Sequence, residues 1–173
     1  MDIHIEQLTG VYGNAEATAL YQEIKREYAF VDFARQFIYS KNERVARNAL
    51  WILTKTSNQE MTQLQVMLNE LMELAMHTGS SSVRRLSLNI IERLELKKED
   101  LRTDFLDFCL ERMTDVKECS GIQAVSLKLA FRMCQCYPEL MGELTRTLEA
   151  MQTVYYKPAV KSVRAKILNG IMK

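Results

Sequence analysis

Apolar positions return at a nearly constant interval along this chain. Nine-residue stretches with the same order of apolar and basic positions begin at Val45, Val83, Ile122 and Val160, and their starts lie 38, 39 and 38 residues apart. Within each stretch the apolar residues recur at spacings of three and four, which is typical of one face of a helix. A steady period of this size predicts stacked helix pairs, because neither helix of a pair can bury its apolar face alone. We therefore predict an all-α fold of about four pairs.

Each predicted pair consists of an A helix followed by a B helix, and the four recurring stretches are the B helices. Residues 1–14 have no clear period, so we interpret them as a lead-in or a partial capping helix. We predict a single repeat domain over residues 15–173. The first A helix is predicted over 15–39 because apolar residues recur there at spacings of three and four. They are Ala17, Leu20, Tyr21, Ile24, Tyr28, Val31, Ala34, Phe37 and Ile38.

Several helix starts carry residues that can satisfy or replace free backbone amides. The turn at 40–42 offers an N-cap for the first B helix, and Ser57 with Glu60 has the spacing of a capping box. Pro138 and Pro158 fall where proline is tolerated, in the first turn of the last A helix and the last B helix. These residues predict where four of the helices begin.

An α-α repeat near 38 residues, with a Val-Arg pair near the start of the second helix, resembles the HEAT and armadillo superfamily. Val83-Arg84 and Val163-Arg164 match most closely, and the resemblance covers about residues 15–173. It implies a right-handed superhelix, a solenoid with the B helices lining its concave face, and it implies no catalytic activity. The A helices lack the internal proline that commonly bends them in that superfamily, so the sequence leaves their curvature open.

Each B helix also carries a line of polar positions opposite its apolar face. Counted from the opening residue, offsets 0, 3, 4, 5, 7 and 8 form an apolar arc, and offsets 2, 6 and 10 stack along the opposite side. Nine residues on these lines are the candidate binding residues of the concave face: Arg47, Trp51, Lys55, Arg85, Asn89, Arg93, Lys128, Arg132 and Lys166.

The charges are segregated between the two kinds of helix. The chain has a net charge of only +1. The B windows, 42–55, 80–94, 120–134 and 157–173, hold 13 Lys and Arg against 2 acidic residues. The A windows, 15–39, 58–78, 99–116 and 138–154, hold 16 acidic residues against 6 basic ones. A basic concave surface focuses its field toward an anionic partner.

Two functions fit this surface. The first is a non-enzymatic interaction scaffold that binds an acidic protein, an acidic peptide or another polyanion. The alternative is a nucleic-acid-binding protein resembling the HEAT-like DNA glycosylases, which place basic and aromatic residues around a lesion with an acidic residue near the site. The B helices hold only Glu43 and Glu92 as acids, which weakens the case for glycosylase chemistry.

A simpler interpretation is that the Lys and Arg residues only keep the B helices soluble. Trp51, the sole tryptophan, lies on the polar line beside Arg47 and Lys55. It either stacks on a base or anchors a peptide, or it is a packed residue that covers the end of the array. The sequence leaves these interpretations open, together with the oligomeric state.

The remaining residues suggest no chemistry of their own. Cys134 and Cys136 are two residues apart, so on a helix they point about 200° from each other and cannot form a metal clip. We expect inert thiols, no metal, no cofactor and no enzymatic activity. We also expect a cytoplasmic location without a membrane partner, because the sequence shows no secretory signal and no long apolar segment.

Overall fold

The computed structural model describes residues 3–27 and 29–172. All regular elements within these ranges are helices, which confirms the all-α class. Tyr28, which the sequence places on the apolar face of the first A helix, lies outside the described residues. The chain divides into two compact units, residues 1–95 and residues 96–173. The single domain over 15–173 and the right-handed superhelix stay predictions.

Unit 1 is built around one B helix, on which several elements pack. In chain order its helices are α1 (Ile5–Thr9), α2 (Asn14–Glu27), α3 (Phe30–Phe37), α4 (Glu43–Leu53), α5 (Asn58–Met61), the 3-10 segment Thr62–Met67, α6 (Leu68–His77) and α7 (Ser81–Arg93). Helices α1, α2, α3 and α7 all pack on α4, and α6 packs on α7. The recurring Val45 stretch is therefore the centre of this unit.

The first A helix differs from its prediction, because it is two helices instead of one. Helix α2 ends at Glu27 and α3 begins at Phe30, while Ala29 before it has an extended backbone with ψ of 136°. No proline causes this break. It allows each segment to bury its own apolar face on α4, and Phe33 and Phe37 of α3 are both buried there.

The predicted caps of unit 1 are confirmed. Asn42 accepts a hydrogen bond from the backbone N–H of Arg44 at 3.1 Å. At the start of α5, the Glu60 amide donates to the Ser57 hydroxyl at 3.1 Å, and the Ser57 amide donates to the Glu60 carboxylate at 2.9 Å. Both bonds of a capping box are therefore present.

Unit 2 is also organised around a B helix. Its helices are the 3-10 turn Lys98–Asp100, α8 (Thr103–Thr114), α9 (Ser120–Gln135), α10 (Pro138–Ala150), the 3-10 turn Thr153–Tyr155 and α11 (Pro158–Leu168). Helices α8, α10 and α11 all pack on α9. Pro138 and Pro158 occupy the first turns of their helices, as predicted.

The apolar arc predicted for the B helices is the buried face in three of the four. All six arc positions are buried in α4, α7 and α9. In α11, Ala165 is exposed and Arg164 and Leu168 are half-buried. The period read from the sequence therefore identified the core of both units.

Side chains near the start of the B helices cap the A helices before them. In unit 1, Arg84 donates to the carbonyls of Ala75 at 2.9 Å and Thr78 at 2.6 Å, at the end of α6. In unit 2, Arg164 donates to the Leu148 carbonyl of α10 at 2.7 Å. The two Val-Arg pairs thus stabilise the hairpins, because the last carbonyls of a helix have no partner inside it.

Candidate anion-binding site

A cavity of about 540 Å³ opens in unit 1 between α4, α7 and the segment that joins α1 to α2. We call it the arginine pocket. Among the described residues, its lining contains four arginines and no carboxylate. The lining residues are Val11, Tyr12, Arg44, Arg47, Trp51, Thr54, Arg85, Leu86, Asn89 and Arg93.

The helical repeat of α4 and α7 brings these polar residues together. Arg47 and Trp51 lie four residues apart on α4, and Arg85, Asn89 and Arg93 follow each other at spacings of four on α7. Residues at this spacing stack along one side of a helix. Since α4 packs directly on α7, the two polar lines form the walls of one pocket.

Arg47 is held in place by its neighbour Asn48. The guanidinium donates to the Asn48 side-chain oxygen through Nε at 3.3 Å and Nη2 at 3.2 Å. The amide nitrogen of Asn48 in turn donates to the backbone carbonyls of Leu8 at 2.7 Å and Val11 at 3.2 Å. Asn48 is completely buried, so it joins the N-terminal segment to α4 and orients Arg47 at the same time.

Arg44 stands over an aromatic ring that also lines the pocket. Its guanidinium carbon is 4.0 Å from the centre of the Tyr12 ring, a cation–π contact. Its Nε atom is buried and has no hydrogen-bond partner among the described residues. A buried donor without a partner is costly, so the Tyr12 contact holds Arg44 at some cost in hydrogen bonding.

Trp51 is half-buried in the wall of the pocket. The ammonium group of Lys55 stands 5.4 Å from the centre of its ring and donates to the side-chain oxygen of Asn14. Trp51 therefore both packs against the protein and presents part of its ring to the cavity. Whether Trp51 contacts a ligand or only packs stays a prediction.

The two arginines of α7 have different roles. Arg93 donates to the carbonyls of Thr54 at 2.9 Å and Thr56 at 2.7 Å, and to the Asn58 side chain at 3.2 Å. It therefore caps the end of α4. Arg85 forms no hydrogen bond or ion pair with any described residue. Among the four arginines of the pocket, none pairs with a described carboxylate.

The structure brings five of the nine candidate residues into the arginine pocket: Arg47, Trp51, Arg85, Asn89 and Arg93. Lys55 borders it through its contact with Trp51. The other three candidates belong to unit 2, where Lys128 and Arg132 are half-buried on α9 and Lys166 is exposed on α11. Their role in binding stays a prediction.

Sequence reasoning missed two important residues of the pocket. Arg44 precedes Trp51 by seven residues, which is close to two helical turns, so it lies on the same side of α4, but the polar line at spacings of four leads back to Glu43 instead. Tyr12 comes from the aperiodic segment before α2, where no pattern predicts the direction of a side chain.

The cysteines and acids form no metal site in the described part of the chain. All four cysteines are free, and Cys109 and Cys134 are buried. Burial, and secondarily the nearby Glu143 carboxylate, raises the pKa of the Cys134 thiol to about 11. Burial also raises the pKa of Cys109 far above its usual range. Buried thiols of this kind are poor nucleophiles.

The comparison with known families decides the affiliation of the chain. A family model described as a HEAT repeat domain matches residues 4–171. The chain belongs to the HEAT repeat family. HEAT repeats are typically scaffolds for protein interactions and are generally not catalytic. No curated protein and no solved structure is significantly similar to the chain. Within the described residues of this HEAT repeat chain, no helix has the length and apolarity to cross a bilayer.

Proposed function

We propose that this HEAT repeat chain is a non-catalytic interaction scaffold whose arginine pocket binds an acidic segment of a partner protein. The observation that carries the proposal is a cavity that four arginines line and to which no described residue contributes a carboxylate. Three hold their place through neutral groups, namely Asn48, the Tyr12 ring and backbone carbonyls. The cytoplasmic location expected from the sequence stays a prediction.

The energetics of the pocket favour an anionic ligand. Guanidinium groups that share a partly enclosed cavity repel each other, and this repulsion grows as the local dielectric constant falls. A carboxylate in the cavity relieves the repulsion, and it accepts two parallel N–H bonds from one guanidinium. Arg85, which has no partner among the described residues, is free to make such a bond. An acidic peptide supplies several carboxylates at once.

Nucleic acid is the second candidate, because Trp51 and Tyr12 stand beside the arginines. Aromatic rings next to cations are typical of single-stranded nucleic-acid sites, where bases stack on them. In this pocket, however, Lys55 covers one face of Trp51 and Arg44 covers one face of Tyr12. The lining also lacks the carboxylate that the glycosylase interpretation requires. Both facts favour the acidic peptide.

The fluorescence of Trp51, the sole tryptophan, provides a direct test. The chain is titrated with polyglutamate, single-stranded DNA and duplex DNA at two salt concentrations. We expect polyglutamate to change the emission saturably, because its carboxylates enter the cavity that Trp51 lines. If single-stranded or duplex DNA alone gives a strongly salt-dependent response, the nucleic-acid function replaces the proposal.

A pair of variants with the same charge change locates the binding. Arg85→Glu places a negative charge in the pocket, whereas Lys161→Glu changes an exposed residue of α11 in unit 2. We expect Arg85→Glu to weaken polyglutamate binding by at least about tenfold, and Lys161→Glu to change it less than about twofold. Equal losses in both variants would show general charge attraction and would remove the pocket from the proposal.

A further inference from the structure

A second surface lies in unit 2, on the side formed by its A helices. Two adjoining cavities of about 430 and 330 Å³ open between α8 and α10, and they share Leu106, Leu110, Leu140 and Glu143 in their linings. We call them together the α8–α10 groove. Its lining on α8 runs from Thr103 to Thr114. This is roughly 16 Å at the rise of a helix, or about three turns.

The interior of the α8–α10 groove is apolar. Its floor is Met133 and Cys134 of α9, both buried, and its walls carry leucines of α8 and α10. Leu106, Leu110 and Leu140 are only half-buried. Leucines that line an open groove on both sides keep apolar surface in contact with water, and covering that surface is favourable.

The rim of the groove is acidic, and of its four carboxylates only Glu111 is neutralised by a described partner, Arg112. Asp107, Glu139 and Glu143 belong to the lining, and their carboxylates form no ion pair or hydrogen bond with described residues. The arginine in the lining, Arg102, is already bound to Asp104 through a 2.7 Å ion pair. The groove therefore presents three uncompensated negative charges around leucine side chains.

We propose that the α8–α10 groove docks a basic amphipathic helix of a partner protein. A helix fits because helices bind in apolar grooves through one face, with anchors at spacings of three and four. Leucine or similar residues on that face would cover Leu106, Leu110 and Leu140. Lysines or arginines beside them would pair with Asp107, Glu139 and Glu143. This surface is distinct from the arginine pocket, since it lies in the other unit and has the opposite charge.

The test uses a fluorescein-labelled helical peptide as the probe. It carries leucines at positions i, i+3, i+4 and i+7 and lysines elsewhere, and its binding to the full chain is followed by fluorescence anisotropy. A second peptide has the same composition in a scrambled order, without an apolar face. We expect the amphipathic peptide to bind at least about tenfold more tightly than the scrambled one. Equal affinities would overturn the proposal, because charge alone would then explain the binding.

Two charge reversals on the same helix locate the peptide. Glu143→Lys changes the rim of the groove, and Glu149→Lys changes an exposed residue of α10 outside it. We expect Glu143→Lys to weaken binding by at least about tenfold and Glu149→Lys by less than about twofold. A similar effect of both variants would also overturn the proposal. Both positions are exposed, and circular dichroism checks that both variants remain folded.

Discussion

The arginine pocket of unit 1 and the α8–α10 groove of unit 2 have charges opposite to those of the units that contain them. Residues 1–95 carry a net charge of −2, yet the described lining of the pocket holds four arginines and no acid. Residues 96–173 carry +3, yet the rim of the groove has three unpaired carboxylates. Basic and acidic residues are thus separated between individual helices and not between the two units. Net charge alone would predict the wrong partner for each surface.

The two surfaces also differ in how their charges are held. Arg47 is fixed by Asn48, Arg44 rests on Tyr12, and Arg93 is bound to backbone carbonyls. In contrast, Asp107 and Glu143 of the groove project without a described partner. A preorganised site loses less conformational entropy when it binds. The pocket is therefore built as a fixed site, whereas the groove depends on its partner to order the rim.

The largest expected effect comes from removing the residue that holds Arg47. Asn48→Ala leaves the buried Val11 carbonyl without its side-chain donor and removes the shorter bond to the Leu8 carbonyl, which keeps only a backbone donor, so we expect a loss of about 2–4 kcal/mol in the free energy of unfolding, measured with urea. Polyglutamate binding should also weaken, because Arg47 loses its acceptor. If Asn48→Ala is as stable as the original chain and binds polyglutamate equally well, the pocket is not preorganised. The proposed difference between the pocket and the groove would then be wrong.

Ser126 in unit 2 is the matched control. It is also buried on a B helix, but its hydroxyl has no hydrogen-bond partner among the described residues. Ser126→Ala removes a buried group that gains nothing from its site, so we expect stability to stay the same or to rise by up to about 1 kcal/mol. A loss as large as that of Asn48→Ala would show that any change at a buried polar residue is harmful.

A smaller effect separates the two arginines of α7. Arg93→Ala removes the donors for Thr54 and Thr56, so we expect a loss of about 1–3 kcal/mol in unfolding free energy. Arg85→Ala removes a side chain without described partners and should stay within about 0.5 kcal/mol. Thermal or urea unfolding of both variants measures this difference. If Arg85→Ala destabilises the chain as much, Arg85 is a structural residue and is not available to a ligand.

The sequence predicted the core well because burial in a helix pair leaves a strong period. The arc positions of α4, α7 and α9 are all buried, and the caps at Asn42 and Ser57 are as predicted. The break before Phe30 was missed because neither proline nor glycine marks it. There the tertiary contacts with α4 determine the geometry, and a local pattern does not record them.

The sequence predicted most of the arginine pocket but not the α8–α10 groove, again because only some features leave a helical period. The polar line gave Arg47, Trp51, Arg85, Asn89 and Arg93, because a pocket wall on one helix has a helical period. Tyr12 lies in an aperiodic segment and has no such pattern. The sequence does not predict the groove. Leu106 has the helical spacing of an apolar face, and this spacing is the same whether or not another helix covers that face.

The contacts of Glu60 make the stability of the chain depend on pH. Glu60 in unit 1 pairs with Lys25 at 2.7 Å and accepts a hydrogen bond from the Tyr21 hydroxyl at 2.6 Å, and these contacts lower its pKa from 4.5 to about 2. A lowered pKa stabilises the fold above pH 4.5, and this stabilisation is lost as the pH falls from 4.5 toward 2. The groove acid Glu143 has no such partner.

We therefore expect Glu60→Gln to lower the unfolding free energy by about 1–2 kcal/mol at pH 7, with a smaller loss at pH 3.5. Glu143→Gln should change it by less than about 0.5 kcal/mol at either pH. Urea unfolding at the two pH values measures both variants. If the two variants behave alike, the Glu143 carboxylate is also neutralised within the chain. The claim that it is available to a basic partner is then wrong.

The last prediction concerns the reactivity of the thiol in the floor of the groove and involves no change in stability. Cys119 is exposed, whereas Cys134 is buried and the pKa of its thiol is raised to about 11. At pH 8 only about one Cys134 in a thousand is then a thiolate, the form that reacts. We expect a thiol reagent to modify Cys119 at least about tenfold faster than Cys134, as followed by mass spectrometry. Comparable rates would mean that the Cys134 thiol in the floor of the groove is not kept from solvent by its neighbours. In that case the leucine walls of the groove would not form the fixed apolar surface that an amphipathic helix needs.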